Sequence, residues 1–361
     1  MKQVLIAGAS GLVGRGAIRA FLQERDTEVI AVSRRQPEGI DGGRFIRVDL
    51  FDAGACRAAF SQLSGVTHLV YAALYEKAGG LRASWLDNEQ IERNAAMLRN
   101  LFEPLSAAAK GLTHVTLLQG TKAYGAHVRL MPIPAREDRD EYRAQPNFYW
   151  NQEDYLRGEQ RGRDWRFTIL RPQIVFGDAL GAAMNPIAAI GLYGALLRER
   201  GEPLHFPGGA GNVFEGVDAD LVGRAVRWAG EAETARDQAF NVTNGDVMTW
   251  RNVWPAIADA LGMETGEDRP ALLARELPPQ AGAWDAIRRK YGLAAPDLDD
   301  FAGQSLDYVD LLMAGDLVRP PVIVSTVKLR RAGFTEMLDS EVMLRNGFAA
   351  MQARKLLPPR G

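Results

Sequence analysis

Three glycines near the N-terminus have the spacing of a turn that binds phosphate. Gly8, Gly11 and Gly14 follow an apolar run, QVLIA, and precede a helical pattern. Such glycines permit a tight turn, close approach of the backbone to a pyrophosphate, and close packing of the helix on the strand. A turn that binds nothing is the alternative, but the flanking strand and helix favour a dinucleotide site. Its predicted contacts are Gly8, Ser10, Gly11, Leu12, Val13 and Gly14.

The end of the second predicted strand indicates which dinucleotide binds. Enzymes that use NAD place Asp or Glu about 20 residues beyond the glycines, where it binds the ribose 2′-hydroxyl. This chain has Ser33, Arg34 and Arg35 there instead. Two guanidinium groups and a hydroxyl suit a 2′-phosphate, so we expect NADP(H) as the cofactor. A solvated arginine pair is the alternative, because only seven of the 43 cationic residues are lysines.

Further cofactor contacts are expected from topology, at the ends of later strands. The third strand would bring its end beside the adenine, the fourth beneath the ribose, and the fifth and sixth beside the nicotinamide. The residues at these four ends are Asp49 and Leu50, then Tyr71, Ala72 and Ala73, then Gln119 and Gly120, and finally Pro172 and Ile174.

A catalytic tyrosine and lysine are expected next to such a cofactor. Many reductases place them in a YxxxK motif, one helical turn apart, so that the ammonium lowers the pKa of the phenol. None of the nine tyrosines here is followed by lysine at that spacing. Lys122 directly follows the fifth strand, at the edge of the sheet where ligands bind, and Tyr149 begins a later helical segment. Either these two form the pair or the chain is not a catalyst.

Four segments resemble one known family. GTKAYG at 120–125, NFYWNQED at 147–154, LRPQIVFG at 170–177 and FNVTNGDVMTWRNVWP at 240–255 are similar to the progesterone 5β-reductase/iridoid synthase-like enone reductases. These are atypical extended short-chain dehydrogenase/reductases, and the similarity runs from residue 4 to about residue 260. The resemblance implies that Lys122 and Tyr149 are the catalytic pair. Ala123 and Trp150 depart from the histidine and tyrosine of the plant enzymes, which puts the substrate in question more than the chemistry.

The expected reaction is the NADPH-dependent reduction of the C=C bond of a small apolar enone. Hydride would reach the β-carbon, while the Tyr149 hydroxyl, supported by Lys122, would stabilise the developing enolate. A carbonyl reductase or sugar-nucleotide epimerase is one alternative, although the missing YxxxK motif argues against it. A non-catalytic NADP-binding redox sensor is the other alternative.

A sheet of parallel strands must position these residues. The sequence predicts an α/β fold, a Rossmann-type doubly wound parallel sheet with a smaller, mostly helical C-terminal substrate domain. Residues 1–180 would form the NADP-binding domain, joined by segments near 210–245, and residues 181–361 would form mainly the substrate cap. Strands are predicted at 3–7, 28–33, 44–48, 67–73, 113–119, 165–171 and 239–242. Helices are predicted at 11–25, 53–63, 88–110, 153–162, 186–200, 218–231 and 249–261, whereas 265–335 has no firm assignment.

One asparagine and one apolar helix are expected to have structural roles. Asn94, on the helix after the fourth strand, is expected to hold a backbone bend. The apolar helix that begins at Pro186 fits a protein core better than a lid over the substrate, although both interpretations stay open.

Composition excludes other classes of protein. A net charge of −2 gives no field that attracts nucleic acid or an anionic membrane. The single cysteine, Cys56, rules out internal disulfides, and the four scattered histidines show no metal-ligand spacing, so no metal is expected. The longest apolar stretch, 182–197, is too short to span a bilayer. We therefore expect a cytoplasmic protein; no interface pattern decides between a monomer and a homodimer.

Overall fold

Seven parallel strands form the main sheet of the computed structural model, which describes residues 1–38, 41–77, 85–209, 211–313 and 321–360. These strands are β1 (Lys2–Ala7), β2 (Thr27–Ser33), β3 (Arg44–Arg47), β4 (His68–Tyr71), β5 (His114–Leu118), β6 (Arg166–Pro172) and β11 (Gln238–Val242). Their order in the sheet is β11-β6-β5-β4-β1-β2-β3. The order reverses between β1 and β4, which is where doubly wound sheets bind ligands. The predicted fold class is confirmed.

Thirteen α-helices occur in the described part of the chain. They are α1 (Leu12–Leu22), α2 (Ala53–Phe60), α3 (Asn88–Ala108), α4 (Phe148–Gln160), α5 (Pro186–Glu199), α6 (Ala219–Glu231), α7 (Trp250–Ala260), α8 (Leu273–Glu276), α9 (Ala281–Tyr291), α10 (Leu298–Phe301), α11 (Gly303–Met313), α12 (Val327–Arg331) and α13 (Ser340–Ala353). Within this part, no helix has the length and apolarity that crossing a membrane requires.

The chain divides into two compact units, each made of three segments. Unit 1 contains Met1–Gln173, Ala219–Val242 and Ile323–Glu336. Unit 2 contains Ile174–Asp218, Thr243–Val322 and Met337–Gly361. The seven-stranded sheet lies in unit 1, because both its long first segment and the β11 strand belong there.

Helices α1 and α6 of unit 1 pack with almost no side chain between them. A Cβ atom added to Gly16 would lie 1.9 Å from the carbonyl oxygen of Ala219, and one added to Gly223 would lie 2.1 Å from that of Gly16. Any larger residue would therefore force the helices apart, which explains glycine at both positions.

The first turn of α4 corrects one predicted boundary. The sequence predicted a helical segment at 153–162 and a helix start near Tyr149, and the structure joins the two in one helix that begins at Phe148. Asn147 is its N-cap, and the Asn147 side chain accepts a hydrogen bond from the Tyr149 amide at 3.0 Å. Capping of this kind satisfies an amide that has no partner within the helix. The sequence NFY therefore fixes Tyr149 inside a capped helical turn.

The side chain of Asn94 binds the backbone that follows β4, and its predicted role in holding a backbone bend stays a prediction. Its side-chain oxygen accepts from the Tyr75 amide and its side-chain nitrogen donates to the Tyr75 carbonyl, both at 2.9 Å. Because Asn94 is fully buried in α3, it fixes the chain just after β4.

Unit 2 has its own core, built around α5. Every residue from Pro186 to Leu197 is buried, so this helix is hydrophobic on all sides and serves as core. The α7 helix packs an aromatic pair into the same core, Trp254 against Phe206, with ring centroids 5.1 Å apart. Three two-stranded sheets complete the strands: β7 (Ile174–Phe176) with β10 (Gly216–Asp218), β9 (Val213–Phe214) with β12 (Met248–Thr249), and β8 (Leu204–Phe206) with β13 (Thr265–Asp268).

Candidate active site

The glycine turn between β1 and α1 has a backbone that only glycine fits. Gly8 has φ +81°, and a Cβ added there would lie 2.5 Å from the carbonyl oxygen of Ala72. A Cβ on Gly14 would lie 2.2 Å from the Gly8 carbonyl oxygen. Gly11 is the N-cap of α1 and provides no capping side chain, so the first amides of α1 stay available to an anion. The turn thus suits the pyrophosphate of a dinucleotide.

The end of β2 carries its predicted cations at the surface. Arg34 and Arg35 are exposed, and the hydroxyl of Ser33 donates to the Arg35 carbonyl oxygen at 2.5 Å. Behind them lies the buried Arg15, whose guanidinium donates to the Glu38 carbonyl oxygen at 2.6 Å. The end of β2 therefore presents an exposed pair of arginines.

One residue predicted beside the adenine and one predicted beneath the ribose turn their side chains into the core. Leu50 and Tyr71 are 6% and 1% exposed and pack in the apolar cluster beneath the sheet. Only their backbones can face a nucleotide. Ala72, by contrast, lies directly against Gly8, as the topology predicts, and Asp49 is exposed, with its carboxylate accepting from the Phe51 amide.

Tyr149 points its hydroxyl at the end of β5. A Cβ added to Gly120 would lie 3.2 Å from the Tyr149 hydroxyl and 3.6 Å from the carbonyl oxygen of Pro172. The structure therefore brings together the predicted tyrosine and two residues predicted to flank the nicotinamide. Glycine at position 120 leaves room for the phenol at this point. Ile174 follows in β7 and is half-buried.

Lys122 lies on a short 3₁₀ helix, Thr121–Tyr124, directly after Gly120. The Gln145 side chain fixes this turn by donating to the Lys122 carbonyl oxygen at 2.9 Å. The Lys122 ammonium nitrogen lies 3.7 Å from the centroid of the Trp85 ring. Lys122 and Trp85 thus form a cation–π contact.

Trp85 connects the two predicted catalytic side chains. Its ring packs edge-on against Tyr149, with centroids 5.3 Å apart and planes at 72°, while its face receives Lys122. Phe148 packs on the other side, with centroids 4.7 Å apart. No hydrogen bond joins Lys122 to Tyr149 in the ranges that the structure describes. The pair is therefore assembled through an indole, where YxxxK enzymes use helical spacing.

The two departures from the family pattern lie in this same aromatic cluster. Ala123 is fully buried and Trp150 is 7% exposed, and both pack with Trp85. Both substitutions therefore fall in the buried cluster that contains Tyr149.

Burial shifts the proton affinities of both catalytic candidates. Desolvation lowers the pKa of Lys122 from 10.5 to about 8, and the nearby Glu76 carboxylate opposes that shift. Burial raises the pKa of Tyr149 above its ordinary value near 10; Glu76 raises it further and Arg171 lowers it. Near neutral pH the phenol is therefore a neutral hydrogen-bond donor beside a mostly protonated lysine.

A second buried cation lies below the tyrosine. The Arg171 guanidinium is fully buried; it donates to the Gln119 side-chain oxygen at 2.9 Å and to the Glu141 carboxylate at 2.5 Å. The Gln119 amide nitrogen in turn donates to Glu153 at 3.2 Å and to the Tyr149 carbonyl oxygen at 3.4 Å. Gln119 was predicted to contact the cofactor, but its side chain supports the backbone of Tyr149.

The network continues to the edge strand β11. Arg171 also donates to the Tyr124 hydroxyl at 3.3 Å, and that hydroxyl donates to the Asn241 side chain at 2.6 Å. The backbone N–H of Asn241 donates to the Glu137 carboxylate at 2.7 Å. Three neighbouring strands of the sheet are therefore joined by buried polar side chains next to the site.

Sequence reasoning missed Trp85, Glu76 and the Arg171 network. Trp85 and Glu76 follow β4 in a stretch without a motif, and the side chain of Arg171 cannot be oriented from its place in a strand.

Comparison with known proteins identifies the family. The profile of the NAD dependent epimerase/dehydratase family matches residues 4–242. The (S)-8-oxocitronellyl enol synthase of Camptotheca acuminata is 28% identical over 378 residues, covering 98% of this chain and 93% of the relative. An (S)-8-oxocitronellyl enol synthase of Nepeta racemosa is 31% identical over 317 residues, covering 82% and 79%.

The fold has solved counterparts. The UDP-glucose 4-epimerase of Thermotoga maritima, solved with UDP-glucose, superimposes with a TM-score of 0.66 at 19% identity, covering 97% of this chain and 99% of that one. At this identity the likeness concerns the fold alone. On the strength of the profile and the enol synthases, the chain belongs to the NAD dependent epimerase/dehydratase family and, within the short-chain dehydrogenase/reductases, to the progesterone 5β-reductase/iridoid synthase-like oxidoreductases.

Proposed function

We propose that this protein uses NADPH to reduce the C=C bond of a small apolar α,β-unsaturated carbonyl compound. The observation that carries the proposal is the arrangement at the end of β5, where a neutral Tyr149 phenol and the Lys122 ammonium share the Trp85 ring. The curated relatives support it, because they are named for an enol product. An enol, or its enolate, is what remains when hydride adds to the β-carbon of an enone.

The cofactor would be held by unit 1. The amides of the Gly8–Gly14 turn would bind the pyrophosphate, and Arg34 and Arg35 would bind the 2′-phosphate that distinguishes NADPH from NADH. A nicotinamide bound there would supply the hydride for the β-carbon. The backbone around Gly120 and Pro172 would flank this ring.

Tyr149 would act on the substrate's carbonyl oxygen. As charge develops on that oxygen, the neutral phenol donates a hydrogen bond to it and thereby stabilises the enolate, which later takes a proton at carbon from solvent. A donor of this kind contributes roughly 3 kcal/mol to lowering a barrier. The raised pKa of Tyr149 suits this role, since a phenol that keeps its proton remains a donor.

Lys122 would add positive charge beside the phenol. With its pKa lowered to about 8, the amine is mostly protonated at neutral pH and favours negative charge on the substrate oxygen. A direct Lys–Tyr hydrogen bond is less necessary here than in ketone reduction, where oxygen must be fully protonated.

The test is a turnover assay with a matched pair of variants. NADPH oxidation is followed with cyclic enones, saturated ketones and aldehydes, and NADH is compared with NADPH. Tyr149→Phe is expected to lower enone turnover about 100-fold. Tyr155→Phe removes a buried hydroxyl from the same helix, one that has no hydrogen-bond partner in the described chain, and is expected to leave turnover unchanged.

Three outcomes would contradict the proposal. Turnover of saturated ketones alone would indicate a carbonyl reductase. NADPH binding without any turnover would indicate a redox sensor. Equal losses in Tyr149→Phe and Tyr155→Phe would mean that the Tyr149 hydroxyl has no special role.

A further inference from the structure

We propose that Glu76 is a positioning residue of this site: its carboxylate fixes the Trp85 indole, and the indole face holds the Lys122 ammonium beside Tyr149. The inference rests on the proposed function for its catalytic meaning, but the arrangement itself can be tested without turnover.

The first contact joins Glu76 to Trp85. The indole nitrogen of Trp85 donates to both carboxylate oxygens of Glu76, at 2.8 Å and 3.2 Å. Hydrogen bonds to an ionised acceptor are stronger than neutral ones, and Trp85 is only 1% exposed. The ring therefore has one fixed orientation.

The second contact joins Trp85 to Lys122. The ammonium nitrogen lies 3.7 Å from the ring centroid, well within the range of cation–π attraction, and tryptophan gives the strongest such attraction. An indole whose N–H donates to a carboxylate carries more electron density on its face, which strengthens the attraction. Glu76 thus acts on Lys122 both through the ring and through space.

The arrangement supplies what a YxxxK motif would supply. In that motif, helical spacing alone places the lysine beside the tyrosine. Here Lys122 precedes Tyr149 and lies on a different element, so another group has to hold it. Because Trp85 packs edge-on against Tyr149 while its face holds Lys122, one side chain sets both positions.

The charged and titratable groups around the ring are few in the part of the chain that the structure describes. Glu76 and Lys122 contact it directly, His127 packs against it with centroids 6.0 Å apart, and Tyr149 lies at its edge. Arg171 acts on Tyr149 from β6. Among the described residues, Glu76 is the carboxylate whose charge opposes the loss of a proton from Lys122.

A direct titration of Lys122 tests the inference. The chain has only seven lysines, so protein labelled with ¹³C at the lysine ε-carbon gives seven NMR signals, and Lys122→Arg identifies the one of interest. In the native protein we expect its midpoint near pH 8. Glu76→Gln should move that midpoint down by roughly half a pH unit or more, because the neutralising charge is lost.

Matched variants separate the effect from general disturbance. Glu92→Gln removes an exposed carboxylate from the neighbouring helix α3 and should leave the midpoint in place. Glu76→Asp keeps the charge and should restore most of the native midpoint, which also covers the case in which Glu76→Gln folds poorly. Trp85→Phe keeps an aromatic face without the N–H and should shift the midpoint in the same direction as Glu76→Gln.

An unmoved Lys122 midpoint in Glu76→Gln, or an equal shift in Glu92→Gln, would overturn the inference. A native protein that reduces no enone would overturn the proposed function instead, and the titration would still decide the role of Glu76. If both hold, the rate of enone reduction should fall at high pH with the Lys122 midpoint and shift with it in Glu76→Gln.

Discussion

Unit 1 buries two cations close to Tyr149, and it treats them in opposite ways. Arg171 is surrounded by hydrogen-bond acceptors, with Gln119, Glu141 and the Tyr124 hydroxyl within 3.3 Å of its nitrogens. Lys122 lies against the face of the Trp85 ring, whose indole nitrogen donates to Glu76. Arg171 therefore has three hydrogen-bond partners, whereas Lys122 has a cation–π contact.

The different surroundings of the two cations suit different roles, one structural and one chemical. A buried charge with a full set of partners keeps that charge and holds its neighbours in place. A desolvated ammonium with few partners has a lowered pKa, costs stability, and can respond to charge that develops nearby. We therefore assign the arginine to the frame of the site and propose that the lysine takes part in the reaction.

Removing Arg171 should give the largest effect. Arg171→Leu leaves the buried Gln119 oxygen without its donor and removes one of the two arginines that pair with Glu141, so the free energy of unfolding should fall by about 3–5 kcal/mol. Urea denaturation measures this. Arg166→Leu, on the same strand but half-exposed and paired with Asp237, should cost less than about 1 kcal/mol. Similar losses in the two variants would contradict the assignment of Arg171 to the frame.

Removing Lys122 should affect rate and leave stability nearly unchanged. Lys122→Met replaces a desolvated ammonium by an apolar side chain of similar length, so we expect a change in unfolding free energy within about 1 kcal/mol. Enone turnover should fall about tenfold or more. Lys110→Met, at an exposed lysine, should change neither quantity. A large loss of stability in Lys122→Met would erase the contrast between the two cations.

A smaller effect is expected at the amino end of β5, where His114 is buried. Its Nε2 atom has no hydrogen-bond partner among the described residues. Burial lowers the pKa of His114 to about 3, and neighbouring His68 contributes to that shift. The unfolded chain therefore binds a proton first, so stability is lost as the pH falls below about 6.5.

The His114 effect can be measured as a pH dependence. Between pH 7.5 and pH 5.5 the unfolding free energy of the native protein should fall by about 1 kcal/mol more than that of His114→Gln. Equal pH dependence in the two proteins would show that His114 does not carry this cost.

Most of the sheet was predictable because its strands are continuous apolar runs. Val4 to Ala7 are fully buried on both faces of β1, which is the pattern that parallel strands produce. The glycine turn was predictable for a related reason, since its backbone tolerates no Cβ at Gly8 or Gly14. Short helices such as α8 and α10 were not, because four residues carry no periodicity.

The site was predictable where a motif or a strand end marked it. Lys122 and Tyr149 follow from their segments, and the structure brings both to one ring. Trp85 and Glu76 could not be predicted, because their partners are distant in sequence or lack a fixed spacing. Gln119 was assigned to the cofactor by its position, but the direction of a side chain at a strand end depends on tertiary partners such as Arg171.

The three-segment construction of unit 1 has a consequence for synthesis on the ribosome. When residues 1–173 have emerged, six strands can pair, but β6 still presents an open edge, because β11 comes only with Gln238–Val242. The helix that packs on α1 through Gly16 and Gly223 also arrives late. An open strand edge is a template for aggregation. The nascent chain must therefore protect that edge for more than 60 residues of further translation, and truncation after the first segment should leave an insoluble product.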